Sequence, residues 1–232
     1  WSTVEKTALA DAEVEYKDHT SNTIYVGFKV KSSKVNLLKD ADIIIWTTTP
    51  WTIPANKALA YNKKLDYSII EISSTPANFK NKKIVIANKL LDQVAKECEM
   101  GDYKLIKNIK GEDFEGTVCS HPFKNLGYDY DVPMLEANFV TLEQGTGIVH
   151  CAPSHGPDDF NLCLKYGIKS LDTIDDNGRY TKHIKKFEGI HIFKADQIVT
   201  ENLKECKNLL SNGKLTHSYP HSWRSKAPLV HR

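Results

Sequence analysis

Cysteine, arginine and long apolar runs are scarce in this chain of 232 residues, and each scarcity excludes a class of protein. The five cysteines are an odd number and form no CxxC pair, so we expect neither a disulfide framework nor a cysteine zinc site. This cysteine usage is typical of a reducing compartment, and we predict a cytoplasmic protein. No apolar run approaches the roughly 18 residues of a membrane-spanning helix, so we expect no membrane partner.

Charge of one sign is also lacking. The chain has 31 Lys and Arg against 29 Asp and Glu, and a net charge of +2 does not by itself indicate a nucleic-acid binder. Only Arg179, Arg224 and Arg232 are arginines, so phosphate contacts would depend on lysine point charges rather than on bidentate guanidinium groups. The hydrophobic fraction of 41% and the charged fraction of 26% indicate a globular protein of one large domain or two small ones.

Both ends of the sequence look interrupted. The chain opens on Trp1 without an initiator Met or a signal peptide. It stops at Arg232, directly after the apolar pair Leu229-Val230. We therefore expect it to be a piece of a longer protein.

Apolar periodicity predicts a strand-rich fold. Thr23–Val30 alternates as a half-buried strand, and Ile43–Trp46 is typical of a strand buried on both faces. Five further strands are predicted over Leu65–Ser73, Lys83–Ala87, Tyr103–Ile109, Phe139–Leu142 and Ile148–Ala152. Three helices are predicted over Asn88–Cys98, from Gly156-Pro157 to about Gly167, and from about Ala195 to Leu210. Because strands and helices do not alternate regularly, we predict an α+β, mostly β fold with a barrel-like, mostly antiparallel core and helical insertions.

The first candidate site is a threonine-rich loop, Trp46–Asn56, with the sequence WTTTPWTIPAN. Thr47, Thr48 and Thr49 follow a buried strand, and two prolines then fix the backbone and remove donors. Threonine hydroxyls both donate and accept, so the loop can hold an ester carbonyl, a ribose hydroxyl or a water. The alternative is that these hydroxyls only satisfy backbone groups at the end of a strand.

The second candidate site is the segment Gly145–Phe160, with the sequence GTGIVHCAPSHGPDDF. It lacks the lysine and hydroxyl residue that would make it a phosphate loop. Strand alternation places His150 and Cys151 on opposite faces, so they cannot act as a nucleophile and its base by being neighbours. A histidine here that is merely a satisfied polar residue of the strand is the plainer interpretation.

Asp158 and Asp159 fall in the first turn of the predicted helix, where the helix dipole favours a charged carboxylate by about 0.3–1 kcal/mol. A carboxylate held charged and facing a cleft suits an ammonium group better than it suits general acid work. Ordinary helix capping is the alternative. Metal ligation together with His150 and His155 is a third interpretation, although the spacing matches neither an HExxH nor a CxxC pattern.

Two further segments are rich in aromatic residues. His121–Phe123 and His217–Arg224 are predicted to be loops. The second could stack on nucleic acid. Packing between domains is the plainer interpretation for both.

Together with Thr7–Tyr16 and His217–Leu229, these segments resemble the insertion (editing) domain of bacterial-type isoleucyl-tRNA synthetase. The related valyl and leucyl enzymes share the threonine-rich loop and the final aspartate, whereas the full HxAPxHGxDDF string is typical of the isoleucyl enzyme. The resemblance covers essentially the whole chain. It implies one editing domain over residues 1–232 with a core at about 20–215, and both ends leading into a Rossmann catalytic domain whose HIGH and KMSKS signatures are absent here.

The resemblance implies an aminoacyl-tRNA deacylase, an esterase that removes valine wrongly attached to isoleucine tRNA. Isoleucyl enzymes are the standard case in which one missing methylene, worth about 1–3 kcal/mol, cannot secure fidelity, so that a second, size-excluding sieve follows. The implied partners are the acceptor end of tRNA(Ile) carrying valine and the rest of the synthetase. ATP and Mg²⁺ would serve isoleucine ligation in the parent enzyme, and no cofactor is expected in this domain.

The resemblance also assigns roles to matching positions. Asp159 would hold the α-ammonium group, and with Thr48 and Thr49 it forms the expected catalytic set around the ester and the attacking water. His150 would be the wall that excludes isoleucine, and two further residues of the threonine-rich loop would support the pocket. The expected substrate-binding set is Thr47, Thr48, Thr49, Trp51, Asn56, His150 and Asp159.

One departure from the family concerns a metal. Many relatives carry two CxxC pairs at positions that here hold Ser2 and Glu5, and Ser222 and Ser225. Because the thiolates are replaced, we expect no metal site from these pairs. Two other functions remain open at this point: a non-catalytic module that binds the tRNA acceptor end, and a metal-dependent hydrolase.

Overall fold

The computed structural model describes residues 1–232 and consists of a ten-stranded sheet with three α-helices. The strands are β1 (Val14–Ser32), β2 (Asp42–Thr47), β3 (Ala58–Tyr61), β4 (Asp66–Ile72), β5 (Lys83–Ala87), β6 (Tyr103–Lys110), β7 (Val118–Ser120), β8 (Asp131–Glu136), β9 (Ile148–Cys151) and β10 (Leu209–Ser222). The helices are α1 (Leu91–Glu97), α2 (Pro157–Lys165) and α3 (Ile192–Glu205). None of the helices has the length and apolar character needed to cross a membrane.

Hydrogen-bonded strands follow the order β6-β4-β5-β2-β1-β7-β8-β3-β9, and β10 pairs with β1. Two neighbouring pairs, β2 with β5 and β3 with β8, are parallel. The remaining pairs are antiparallel. The α+β, mostly β prediction is confirmed, and the sheet is mixed and does not close on itself.

Strand β1 is the longest element, with 19 residues, and its middle part is buried on both faces. The half-buried prediction for Thr23–Val30 was therefore wrong. Tyr25 on the second face donates a hydrogen bond to Glu97 on α1, and its ring lies 6.5 Å from the ring of Trp46. Gly27 leaves room for the ring of Phe79, since an added Cβ would lie 3.0 Å from that ring. Side chains packed against both faces of β1 therefore cover Thr23–Val30, although the apolar alternation of this segment predicts that one face is exposed to solvent.

Three other boundaries differ from the sequence prediction. Phe139–Leu142 is a turn, and its apolar side chains reflect packing against the two cores rather than strand pairing. Helix α3 ends before Leu209, because Leu209-Leu210 already belongs to β10. Most of the predicted loop His217–Arg224 is also part of β10, where pairing with β1 satisfies its backbone. The strand at Ile148–Cys151 and the helix at Pro157–Lys165 are confirmed.

Two matching turns face each other where β1 begins and β10 ends. In the first turn the Lys6 amide donates to the Ser2 carbonyl at 2.9 Å, and in the second the Lys226 amide donates to the Ser222 carbonyl at 2.9 Å. Both lysines have positive φ, 57° and 59°. We name this pair of turns, Ser2–Thr7 and Ser222–Ala227, the clasp.

A single carboxylate joins the two turns of the clasp. Glu5 accepts hydrogen bonds from Ser2 Oγ on its own turn, and from Ser222 Oγ at 2.9 Å and the Ser225 amide at 3.1 Å on the other. Ser2, Glu5, Ser222 and Ser225, the positions where the resemblance implies cysteine pairs, are therefore neighbours in space. Serine hydroxyls and one carboxylate are not the thiolate and imidazole ligands that structural zinc takes, so this donor set does not fit the metal.

Candidate functional site

The threonine-rich loop begins where β2 ends and continues into a 3₁₀ helix, Pro50–Ala55. Proline at the first helical position presets the backbone. Side chains then close the turn, because Thr47 Oγ1 accepts from the Thr49 amide at 3.1 Å and Thr52 Oγ1 donates to the Thr49 carbonyl at 2.8 Å. Thr47 and Thr49 also contact each other through their hydroxyls at 3.1 Å. The local reading, that threonines satisfy backbone at a strand end, is correct for Thr47 and Thr52.

His150 on β9 connects this loop to the sheet. Its Nε2 lies 2.8 Å from Thr52 Oγ1, and its Nδ1 lies 3.0 Å from Asn56 Nδ2. Because the Thr52 hydroxyl donates to a carbonyl, Nε2 must carry the proton, and the unprotonated Nδ1 accepts from Asn56. Burial lowers the pKa of His150 to about 3, so the imidazole is neutral at physiological pH. A neutral ring engaged at both nitrogens is a fixed surface rather than a free base.

Asn56 closes the same network and leaves one atom unsatisfied. Its Nδ2 donates to the Ala58 carbonyl at 2.9 Å as well as to His150. Its Oδ1 is buried without a hydrogen-bond partner. Such an unsatisfied buried acceptor costs about 1–3 kcal/mol and is uncommon in folded proteins.

Asp159 lies at the start of α2 and bends back toward the end of β9. Its Oδ2 accepts from the Ala152 amide at 2.8 Å, while Oδ1 has no hydrogen-bond partner in the chain. Gly156 permits this arrangement, because an added Cβ there would lie 3.1 Å from Asp159 Cγ. Burial raises the pKa of Asp159 to about 6, opposed by the Ala152 hydrogen bond and reinforced by Asp158. Asp158 itself is exposed.

The structure brings five of the seven expected residues together in two groups, and Thr48 and Trp51 belong to neither hydrogen-bonded group. The loop group is Thr47, Thr49, Asn56 and His150, linked through Thr52. Asp159 forms the second group and makes no hydrogen bond to a threonine; it binds Ala152, two residues beyond His150 on the same strand exit. The two groups are therefore joined through the strand end, not directly.

A cavity of about 280 Å³ lies beside the loop. Thr47 and Thr48 form one wall, and Phe139 and the segment 145–149 contribute much of the remainder. Neither Asp159 nor His150 lines this cavity. Gly147 has a positive φ of 74°, and an added Cβ would lie 2.4 Å from the Ala87 Cβ, so the segment requires glycine there.

Trp51 points away from the hydroxyl network. Its buried ring packs edge-on against His155, with ring centroids 4.6 Å apart. His155 is in turn held by Thr173 Oγ1 at 2.7 Å and the His231 carbonyl at 3.0 Å. Trp51 is therefore placed as a support of the loop from behind.

Four side chains that were not predicted to belong to the site hold the loop from outside. They bind backbone groups of three loop residues: Asp196 accepts from the Trp51 amide at 3.1 Å, Tyr180 donates to the Trp51 carbonyl, His121 donates to the Ile53 carbonyl at 3.1 Å, and Tyr130 donates to the Asn56 carbonyl at 2.6 Å. Thr52, the link to His150, stood inside the loop motif and could have been singled out there. His121 lay in a segment that was noted for its aromatic residues and interpreted as packing, whereas Tyr130, Tyr180 and Asp196 carried no local signal.

The structure does not assemble the alternative metal site. The rings of His150 and His155 are each engaged with their own partners, and Asp158 faces solvent. No group of three or more His, Cys, Asp or Glu side chains is placed to hold a metal ion.

Comparison with known proteins identifies relatives of the chain. A family profile described as "Leucyl-tRNA synthetase, editing domain" matches residues 20–212. The isoleucine–tRNA ligase of Pelagibacter ubique (strain HTCC1062) is 71% identical over 232 residues, covering 100% of this chain and 26% of the relative. That of Gluconobacter oxydans (strain 621H) is 43% identical over 248 residues, again with 100% and 26% coverage. The chain thus spans about a quarter of the length of these curated relatives.

A solved structure described as "The crystal structure of GlLeuRS-CP1" has a similar fold. The TM-score is 0.60 at 15% sequence identity, and the match covers 82% of this chain and 99% of the other. At this identity the likeness supports the fold alone.

Proposed function

The chain belongs to the aminoacyl-tRNA synthetase editing-domain family, as the editing domain of an isoleucine–tRNA ligase, and from this premise we propose that it hydrolyses the ester of valyl-tRNA(Ile). The observation that carries the proposal lies at the C-terminal end of β9. There His150 is neutral and hydrogen-bonded at both ring nitrogens, and the Ala152 amide, two residues further on, binds Asp159. Both residues lie next to the threonine-rich loop.

Asp159 is the proposed anchor for the α-ammonium group of the misattached amino acid. Its Oδ1 has no partner in the chain and is available to a donor from the substrate. A carboxylate–ammonium hydrogen bond contributes about 1.5–3 kcal/mol. The Ala152 amide fixes the carboxylate, so the anchor is oriented before the substrate arrives.

The proposed reaction needs no covalent nucleophile. A water oxygen attacks the ester carbonyl, the ester C–O bond breaks, and the products are free valine and the tRNA hydroxyl, which receives a proton. Thr48 and Thr49 orient the ester and the water, and orientation alone can supply several kcal/mol of the barrier. His150 does not act as a base in this scheme, because both ring nitrogens are occupied.

His150 is the proposed size wall, and it would act through the loop that it holds by Thr52 and Asn56, since it does not line the cavity beside Thr47 and Thr48. A sieve that excludes one methylene has to be rigid, because a wall that moves aside admits the larger side chain. The bonds from Thr52 and Asn56 fix the ring in one orientation.

The activity, the cofactors and the location of the longer protein are also proposed from the family of this domain. We infer that it ligates isoleucine to tRNA with ATP and Mg²⁺ through parts outside this chain, and that those parts supply most tRNA affinity. The domain itself is proposed to work without a cofactor. Five free cysteines, four of them buried, fit the cytoplasm that we propose as its location.

The first experiment measures deacylation of valyl-tRNA(Ile) by the 232-residue chain. We expect Asp159→Ala to lower kcat/KM by about 10- to 100-fold, the equivalent of one hydrogen bond to a charged group. Asp158→Ala, at the exposed neighbour, is the matched control and should keep wild-type activity. Equal activity in wild type and Asp159→Ala would show that the ammonium anchor is wrongly assigned.

The second experiment tests the sieve. We expect His150→Ala to hydrolyse correctly charged isoleucyl-tRNA(Ile), which the wild type spares, with a gain on the order of 10-fold or more. A melting curve checks that the variant is folded. Binding of valyl-tRNA(Ile) without turnover, at concentrations that saturate the chain, would instead favour a non-catalytic module that binds the acceptor end.

A further inference from the structure

Asp196 lies in the second turn of α3 and reaches across to the threonine-rich loop. Its Oδ1 accepts a hydrogen bond from the Trp51 amide at 3.1 Å. Trp51 is the second residue of the 3₁₀ helix Pro50–Ala55, a position whose amide has no partner within the helix. Asp196 therefore does for this short helix what an N-cap side chain ordinarily does, but from 145 residues away in sequence.

The carboxylate of Asp196 is itself held in place. Its Oδ2 accepts from Asn22 Nδ2 on β1 at 3.4 Å. The other side of the Trp51 peptide is held as well, because Tyr180 donates its hydroxyl proton to the Trp51 carbonyl. Both backbone groups of Trp51 are thus bound by side chains from outside the loop.

The residue after Trp51 carries the contact with the wall of the site. Thr52 Oγ1 binds His150 Nε2 at 2.8 Å and the Thr49 carbonyl at 2.8 Å. A rotation of the Trp51 peptide would move Thr52 and, through it, Thr49. Pro50 and Pro54 contribute no amide hydrogen bonds, so side chains from outside the loop, Asp196 and Tyr180 among them, restrain this part of its backbone.

We propose that Asp196 is a positioning residue for the editing site, which sets the orientation of Thr48, Thr49 and Thr52 by binding the Trp51 amide. This inference rests on the function proposed above. Asp196 touches neither the ester nor the ammonium group. Its loss should leave substrate binding by Asp159 intact and disturb the placement of the reacting groups, which is an effect on kcat rather than on KM.

The experiment compares Asp196→Ala and Asp196→Asn in the 232-residue chain, with Glu201→Ala as the matched control on the same helix. Glu201 is an exposed carboxylate bound only to Gln197 on its own helix. We expect Asp196→Ala to lower kcat for valyl-tRNA(Ile) by about 10- to 100-fold with KM changed less than about twofold. Asp196→Asn keeps an acceptor for the amide and should restore most of kcat.

A second measurement tests the hydrogen bond between Asp196 and the Trp51 amide independently of activity. Hydrogen exchange at the Trp51 amide should accelerate in Asp196→Ala and stay near wild type in Asp196→Asn and Glu201→Ala. Unchanged exchange and unchanged kcat in Asp196→Ala would overturn the inference, as would equal losses in the Ala and Asn variants. If the wild type has no deacylase activity, the proposed function fails, and exchange at Trp51 still decides whether Asp196 holds the loop.

Discussion

The threonine-rich loop with its neighbours and the clasp are both short turns held by side-chain hydrogen bonds, yet the pKa shifts favour the neutral form of the groups in the first and the charged form of Glu5 in the second. In the site, burial lowers the pKa of His150 to about 3 and raises that of Asp159 to about 6. In the clasp, hydrogen bonds from Ser2, then Ser225 and Ser222, lower the pKa of Glu5 to about 2. The difference shows that burial favours the neutral form of a titratable group, whereas hydrogen-bond donors around a carboxylate favour its charged form.

The difference also separates what each region tolerates. Unpaired polar atoms in the buried loop have no water to bind, so each lost partner leaves a donor or acceptor unsatisfied. In the clasp, Ser2 and Ser222 are buried and Glu5 is half-buried, so water can replace a lost partner of Glu5. We therefore expect substitutions at His150 and its partners to be severe and a substitution of Glu5 to be mild.

The largest effect is expected from an engineered metal site in the clasp, which would make the clasp the more sensitive of the two regions. Replacing Ser2, Glu5, Ser222 and Ser225 with cysteine places four thiolates on two facing turns. We expect this variant to bind one Zn²⁺, with an apparent binding free energy of roughly 10 kcal/mol or more added to folding. Cobalt absorption typical of tetrahedral thiolate coordination, and a large metal-dependent rise in Tm, are the measurements.

The double variant Ser2→Cys and Glu5→Cys is the control for the four-cysteine protein. It offers only one turn of ligands and should show neither signal. A four-cysteine variant whose Tm does not respond to zinc would mean that the two turns do not face each other as described.

The second-largest effect is expected from Thr52→Val, which tests the cost of losing a hydrogen bond in the buried loop. Valine preserves shape but removes the partner of His150 Nε2 and the donor to the Thr49 carbonyl. We expect a loss of about 1–3 kcal/mol in the free energy of unfolding. Thermal melting should show it as a fall in Tm of roughly 2–10 °C.

Thr20→Val is the matched control for Thr52→Val. Its hydroxyl binds that of Thr216 at 2.9 Å on the exposed part of the β1–β10 pair. We expect almost no change there, since water takes over the lost contact. Similar losses in both variants would contradict the assignment of the cost to burial.

The pH dependence of hydrolysis is the third effect. Because the pKa of Asp159 is raised to about 6, the carboxylate is mostly charged at pH 7 and mostly protonated at pH 5. We expect kcat/KM to fall about tenfold between these pH values as the ammonium anchor is neutralised. Asp159→Asn should flatten this acidic limb, and a wild-type profile that is already flat would remove Asp159 from ammonium binding.

The smallest effect is expected from Glu5→Gln in the clasp. A carboxyl whose folded pKa lies below its ordinary 4.5 stabilises the fold above that value and loses the contribution as the pH falls toward about 2. The Tm of Glu5→Gln should therefore lie slightly below wild type at pH 7, by less than for Thr52→Val. The gap should narrow as the pH is lowered through 4.

Asp11→Asn is the control for Glu5→Gln, because Asp11 is an exposed acid on the same segment. Its Tm should follow wild type throughout. A gap between Glu5→Gln and wild type that stays constant with pH would show that the charge of Glu5 does not carry the contact.

The sequence predicted those parts of the site whose geometry is local. Pro157 after Gly156 marks the start of α2 and so places Asp159, and alternation along β9 separates His150 from Cys151. Whether His150 is a wall and Asp159 an anchor stays a prediction. Contacts such as Asp196 with Trp51 and His121 with Ile53 join residues 145 and 68 positions apart, and no local pattern encodes them.

The errors in the fold have a related cause. Leu209-Leu210 satisfies the helical period of α3 and the strand that follows, so the boundary was assigned to the wrong element. The turn at Phe139–Leu142 is apolar because it packs against the cores, and apolar character alone does not distinguish packing from pairing. In both segments the tertiary contacts, rather than the local sequence, determine the secondary structure.

Strand β1 links the two regions compared above, since Val14 pairs with Ser222 beside the clasp and Ile24 pairs with Thr47 at the threonine-rich loop. An extended strand rises about 3.3 Å per residue, so this stretch is a rod on the order of 33 Å long. An extended strand hardly lengthens when it is pulled. A displacement of the clasp would therefore move Thr47 by a similar distance.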